Sequence, residues 1–260
     1  MSKTNELQPQ NLFRLAIEQG RIPRYLYKYT TADNCLLTIN NGTIYFADYH
    51  KFNDPFECKA NLDTLNSIQE WLQFLQDNNV PMPAAKSIAV QMVNNPKEAR
   101  KYIENSVMSV QNTTGFLCLT TKNDNLLMWA HYASQHEGCC IKLDLLNDVD
   151  NFWRIKKVVY DNNYLQYNYL RNNAGALDAI CHKSNEWAYE EEYRVFQLNH
   201  IGATTMRTGT IKEVYLGCRI DPAKKQAILD AIASTSKQPE IVAYQVETDG
   251  KSYKLNFIKV

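Results

Sequence analysis

Arg24-Tyr25-Leu26-Tyr27-Lys28-Tyr29 followed by Thr30-Thr31-Ala32-Asp33, Asn41-Gly42 and Thr43-Ile44-Tyr45-Phe46-Ala47 is the stretch on which the fold turns. The first six residues alternate in character as a strand does, and threonine and aspartate then cap a helix through Leu36, Leu37 and Ile39. Asn41-Gly42 is a helix stop, because glycine accepts the left-handed backbone that closes the last turn. The β-branched and aromatic run Thr43 to Ala47 is a second strand. A strand–helix–strand unit with such short connections fixes an α+β beginning.

Outward from it, residues 11–19 form a short amphipathic helix. Ile68, Trp71, Leu72 and Leu75 recur at helical spacing, as do Ala99, Tyr102, Ile103 and Val107 after breaks at Pro81, Pro83 and Pro96. Residues 62–112 are therefore predicted to be a helical insert in a single domain spanning residues 1–260. From Gly115 the pattern turns to strands, predicted at 115–121, 138–144, 152–160, 192–198, 211–217, 241–247 and 253–260. Helices are predicted at 125–134 and 222–234, with a tyrosine-rich one at 163–183. Strands and helices do not alternate strictly, which argues against a doubly wound parallel sheet.

The chain has 28 basic and 28 acidic residues, so electrostatics alone does not mark it as a nucleic-acid binder. Arg154-Ile155-Lys156-Lys157 reads as a solvated edge strand blunted by its cations. No apolar run approaches the roughly 20 residues that span a bilayer, and residues 1–10 are polar, so no membrane and no secretory signal are expected. Seven cysteines without paired spacing point to free thiols in a reducing, cytoplasmic setting. His131, His136, Cys139 and Cys140 follow no zinc spacing, and adjacent cysteines on a strand face opposite ways, so no metal is expected.

Three segments combine polar groups with aromatic shelter. Phe52-Asn53-Asp54-Pro55-Phe56-Glu57 is turn chemistry, either a rigid exit from a strand or a held site. Trp129-Ala130-His131-Tyr132 on a helix is core, or the wall of a pocket. Trp187-Ala188-Tyr189-Glu190-Glu191-Glu192-Tyr193-Arg194 crowds three carboxylates, which raises a carboxylate pKa wherever water is excluded. Read as a strand, it puts Glu190, Glu192 and Arg194 on one face. Glu192 is expected to be partly buried beside Tyr193, within reach of Arg194, so that Glu192→Gln alters rate and leaves folding nearly unchanged. These segments are expected to share one cleft.

With Leu26-Tyr27-Lys28-Tyr29, Asn41-Gly42 and Gly138, the three segments resemble the bacterial domain-of-unknown-function family 2971 over residues 24–218. Gly42-Thr43-Ile44-Tyr45-Phe46-Ala47-Asp48 and Glu190-x-Glu192 are similar, more weakly, to stretches of ADP-ribosyltransferases. That resemblance implies a mixed, largely antiparallel split sheet and NAD as substrate. It also implies Glu192 and Glu190 as catalytic residues, and a bacterial toxin or anti-phage effector with a protein or nucleic-acid target. NAD would be held by residues among Tyr27, Lys28, Tyr29, Tyr45, Asn53, Asp54, Trp129, His131, Tyr132 and Arg194. Tyr27-Lys28-Tyr29 stands where that family has arginine or histidine-glycine, with Lys28, Tyr29 or His131 as the stand-ins, and no Ser-Thr-Ser follows the second strand. The alternative is a non-catalytic ligand- or protein-binding module on a decayed version of the same fold.

Overall fold

The computed structural model describes residues 8–234 and 241–260; most of the polar N-terminal stretch lies outside them. The chain runs α1 (Pro9–Glu18), β1 (Tyr25–Thr30), α2 (Ala32–Asn41), β2 (Thr43–Phe46) and β3 (Ala60–Leu62). Then come α3 (Ile68–Asp77), α4 (Met82–Asn94), α5 (Pro96–Thr113), β4 (Gly115–Thr120), α6 (Leu126–Tyr132) and β5 (Cys139–Asp144). Next are α7 (Val149–Phe152), β6 (Ile155–Lys157), β7 (Val159–Tyr160), β8 (Leu165–Tyr167), α8 (Gly175–Ile180) and β9 (His182–Lys183). The last are β10 (Glu192–Gln197), β11 (Gly202–Thr205), β12 (Ile211–Leu216), α9 (Pro222–Ser234), β13 (Val242–Thr248) and β14 (Leu255–Lys259).

The caps act as the sequence implies. Thr31 accepts from the Asn34 amide, and Gly42 closes α2 at φ 60°. Asn125 accepts from both the Leu127 and Met128 amides at the start of α6.

Eight strands form one sheet in the order β14-β13-β12-β5-β1-β4-β10-β6. Only β12 and β13 pair in parallel within it, so the α+β class with a mixed, largely antiparallel sheet holds. Residues directly opposite one another share a face. One face carries Leu26, Leu119, Ile141, Leu143, Val195 and Val214, which bury against Phe13, Cys35, Ile39, Phe152 and Ile228 from α1, α2, α7 and α9. The other carries Tyr29, Cys140 and Tyr215 under Trp129 of α6. It also carries Phe116 and Phe196 under Ile180 and Cys181. Cys139 and Cys140 fall in these two separate cores, as alternation along a strand requires.

The sheet is split. β1 pairs with β5 along its whole length, Tyr25 to Thr30, but with β4 only at Tyr27↔Thr120. Beyond that point the two strands part. Ala47, just after β2, takes the vacated edge of β4 through paired 2.8 Å hydrogen bonds with Phe116.

Several elements depart from the sequence pattern. Residues 163–183 are not one helix. β8 pairs in parallel with β3, and β9 with β7. Tyr167 and Tyr169 bury against Trp71, Phe74 and Ile103, so their burial follows the spacing of an extended chain and not a helical turn. The helical insert thus builds its core jointly with residues 165–179. The strand expected at 152–160 is broken into the end of α7, β6 and β7, because β7 leaves the large sheet to join β9. β6 is an edge strand, with Lys156 paired to Asp178. β11, which pairs with β2, carries no apolar alternation that would have revealed it.

Gly115 sits where β4 passes beneath the chain at His200. A Cβ there would lie 2.3 Å from the His200 carbonyl oxygen and 2.8 Å from the Phe46 Cβ. Gly115→Ala should cost about 1–3 kcal/mol, the range for overpacking. In a domain of this size that is a fall in Tm of roughly 2–12 °C, measurable by calorimetry.

Candidate functional site

Where β1 and β4 part, a cavity of about 720 Å³ opens through the sheet. Lys28, Tyr29, Thr30 and Thr31 form one wall, and Phe116, Cys118 and Leu119 the facing one. At its floor five charged side chains are buried together: Glu57, Lys183, Glu190, Glu192 and Arg194, each no more than 9% exposed.

Lys183 is the hub. Its Nζ lies 2.6 Å from Glu190 Oε2, 3.1 Å from Glu57 Oε1 and 3.5 Å from Glu192 Oε2. Arg194 donates to both oxygens of Glu192, from Nε at 2.8 Å and Nη2 at 2.9 Å. Its Nη2 also donates to Glu57 Oε2 at 2.5 Å, and its Nη1 to the Ile180 carbonyl. The remaining carboxylate oxygen, Glu190 Oε1, accepts from the Tyr132 hydroxyl at 2.6 Å. All six oxygens of the three carboxylates therefore have a protein partner. Phe52 and Trp187 cover the cluster, 4.6 Å from the Arg194 guanidinium and the Lys183 ammonium respectively.

Local sequence explains the convergence. Residues Asn185–Glu190 form a 3₁₀ turn that ends with Glu191 in the left-handed region at φ 45°. Glu190 is thus not on the strand, as its spacing from Glu192 implied. The turn brings the two carboxylates together, while the side chain of Glu191 leaves to meet Thr121 and Lys122. The Thr120 hydroxyl holds the Glu190 carbonyl at 2.5 Å, and Tyr160 accepts from the Glu192 amide at 2.9 Å. Asp54 accepts from the Trp187 indole at 2.8 Å and from the Phe56 amide at 2.8 Å. The loop that delivers Glu57 is thereby pinned to the turn that delivers Glu190.

Shared burial divides the two glutamates. Burial would raise Glu192, but Arg194 and Lys183 outweigh it and hold the carboxyl down to about 2. Burial dominates at Glu190 and raises it, with the neighbouring Glu192 charge adding to the rise and Lys183 opposing it. Lys183 is raised: burial pulls it down, and the carboxylates around it more than compensate. Tyr132 is raised by burial and by Glu190.

Of the residues singled out in the sequence, Tyr27, Lys28, Tyr29, Tyr45, Asn53, His131, Tyr132, Glu190, Glu192 and Arg194 line the cavity. Two do not. Trp129 is fully buried beneath Tyr29 with its indole on the Asn123 carbonyl, and Asp54 serves the loop anchor. Glu192 is 4% exposed, not half-open, so Glu192→Gln disturbs the fold as well as any chemistry. Lys183 went unnoticed because it fell inside the helix expected at 163–183. Glu57 stood in the Asn-Asp-Pro segment, but nothing local told it from a solvated acid.

Among the described residues no group of three or more His, Cys, Asp or Glu is arranged to hold a metal ion, and all seven cysteines are unpaired. No helix among them is long and apolar enough to cross a membrane. The fold and site define an α+β protein with a cavity in a split sheet, floored by a buried ionic cluster. Residues 128–195 match the family described as Protein of unknown function (DUF2971), the family the sequence resembles. That stretch holds His131, Tyr132, Lys183, Glu190, Glu192 and Arg194, whereas Lys28, Asn53 and Glu57 lie before it. No curated protein and no solved structure gives a match.

Removing Arg194 strands two buried carboxylates, so Arg194→Met should cost about 3–5 kcal/mol in denaturant unfolding. The pH dependence follows from Glu192. Its folded value lies below the ordinary 4.5, so its stabilising contribution is complete above 4.5 and is lost as pH falls toward about 2. Glu190, raised, has the opposite sign: its contribution is complete at low pH and is lost as pH rises through its folded value. Urea midpoints measured through the acid range should fall below about pH 4.5 in the wild type.

Proposed function

We propose that this chain is an NAD-consuming ADP-ribosyltransferase, with the dinucleotide lying in the split between β1 and β4. The observation that carries the reading is the placement of two carboxylates, with protonation driven in opposite directions, at the floor of that cavity. Paired groups pushed apart in this way are how one site supplies both an acid and a base. The volume suits a small-molecule site, typically about 300–1,000 Å³. Lys28 and Lys51 line the cavity and make no ion pair among the described residues, leaving two cations for a diphosphate. Tyr27, Tyr45 and Phe52 offer faces for stacking.

Breaking the bond between nicotinamide and ribose develops positive charge on the sugar, as in glycoside hydrolysis. Glu192, kept ionised by Arg194, supplies a fixed negative charge toward that centre. Glu190, through Tyr132, is the group able to exchange a proton with the acceptor. Arg194, Lys183 and Glu57 are positioning residues. The setting is a bacterial cytoplasm and the role that of a toxin or anti-phage effector on a protein or nucleic-acid target. That role rests on the resemblance alone.

The second reading, a non-catalytic ligand- or protein-binding module, is favoured by one observation. Every carboxylate oxygen at the floor is already taken by a protein donor. Incubating the protein with NAD and measuring free nicotinamide separates the two. Release is expected, and Lys28→Met should lower kcat/KM by roughly 10- to 100-fold, the loss of one charge-assisted contact. Absence of release with binding of ADP-ribose intact would leave the module reading in its place.

A further inference from the structure

The floor of the cavity holds three carboxylates and two cations, all nearly inaccessible to water. With every group ionised one negative charge is left over, and a buried unbalanced charge is the costliest arrangement available. Geometry says which carboxylate takes a balancing proton. Glu57 is gripped by Lys183 and Arg194, and Glu192 by Arg194 through both oxygens. Glu190 alone is finished by a neutral partner, the Tyr132 hydroxyl. Tyr132 is half-buried, lines the cavity, and has the Asn53 side-chain amide 3.5 Å from its oxygen.

A hydroxyl has one hydrogen to give. We propose that Tyr132 is the switchable donor of this cavity: with Glu190 ionised it donates inward, and with Glu190 protonated it turns outward to a carbonyl oxygen of the ligand. In the second state the Glu190 carboxyl O–H donates to the Tyr132 oxygen, and the tyrosine O–H donates to the ligand. The proton comes from solvent, and no covalent bond other than the carboxyl O–H is made. At a pH where the unliganded protein holds Glu190 ionised, occupancy by a carbonyl-bearing ligand therefore takes up one proton. The direction of the shift at Glu190 agrees with this.

Groups around Glu190 act in both senses. Lys183 favours the ionised form, and Glu192 opposes it; Arg194 and Glu57 neutralise each other's influence in part. Tyr160 of β7 and Tyr189 of the 3₁₀ turn are neutral neighbours, raised first by burial, with the nearby glutamate charges adding to the rise.

The choice of ligand rests on the NAD reading: nicotinamide carries a neutral carbonyl acceptor, and nicotinate places an anion there. Two measurements test the switch. Infrared titration of the protein alone should show the stretch of a buried protonated carboxylic acid, absent in Glu190→Gln and displaced along the pH axis in Tyr132→Phe. Calorimetry of nicotinamide binding, in two buffers of different ionisation enthalpy and above the pH at which the free protein loses its acid band, should show uptake of about one proton, with affinity rising up to about tenfold per pH unit as pH falls toward that point. Tyr132→Phe should bind weakly and without that dependence. Lack of the acid band at every pH above the ordinary carboxylate range overturns the proposal, because Glu190 is then not raised and is ionised throughout. Binding without proton uptake, or no binding of nicotinamide, overturns its ligand half. Failure of NAD turnover with the band and the coupled binding intact would defeat the enzyme reading and leave the switch standing.

Discussion

Lys183 and Arg194 are buried only because Glu57, Glu190 and Glu192 converge on them, and this mutual dependence organises everything around it. The five side chains come from the loop after the 3₁₀ turn at Tyr49–Lys51, from β9, from the 3₁₀ turn at Asn185–Glu190 and from β10. None of those segments could take its place without the others, since a lone charge in the same position would be several kcal/mol worse off. The left-handed backbone at Glu191 and the Asp54–Trp187 hydrogen bond follow from the need to bring the carboxylates to one ammonium. Ion pairs of this kind give little net stability relative to apolar packing, whereas removing one partner leaves a buried charge at a cost of several kcal/mol.

That arrangement sits beside the place where the sheet fails to close. β1 is committed to β5 along its length, and β4 to β10, leaving a gap that Tyr27↔Thr120 bridges at one point only. The apolar face of the sheet is anchored by α1, α2, α7 and α9, so the gap persists without costing the core its packing. A cavity whose walls are two strands is rigid, and its chemistry is set by the residues that alternate onto those strands. Lys28, on a face shared with Leu26, Ile141 and Leu143, lines the cavity.

The helical portion has a core of its own, with Trp71, Phe74 and Ile103 against Tyr167 and Tyr169. Its return segment leads through α8 directly into β9 and Lys183. Packing of the helices thereby fixes where the central ammonium lies.

Local pattern determined much of this protein by itself. The cap at Thr31, the stop at Gly42 and the apolar runs of β4, β5 and β12 depend on neighbours in sequence, and they were legible at once. The Glu190-x-Glu192 spacing and its aromatic company also marked a site, although the backbone that joins the two is a turn. Tertiary structure alone decided the rest. The short strands β3, β7, β8, β9 and β11 have too few residues to show a period and exist because a distant partner offers hydrogen bonds. Lys183 and Glu57 became site residues through contacts across 126 positions, and no local composition separates such a lysine from a solvated one. The physical reason is the same in each case. Propensity and capping act within a turn or two of chain, whereas burial of charge is settled only when segments far apart in sequence meet.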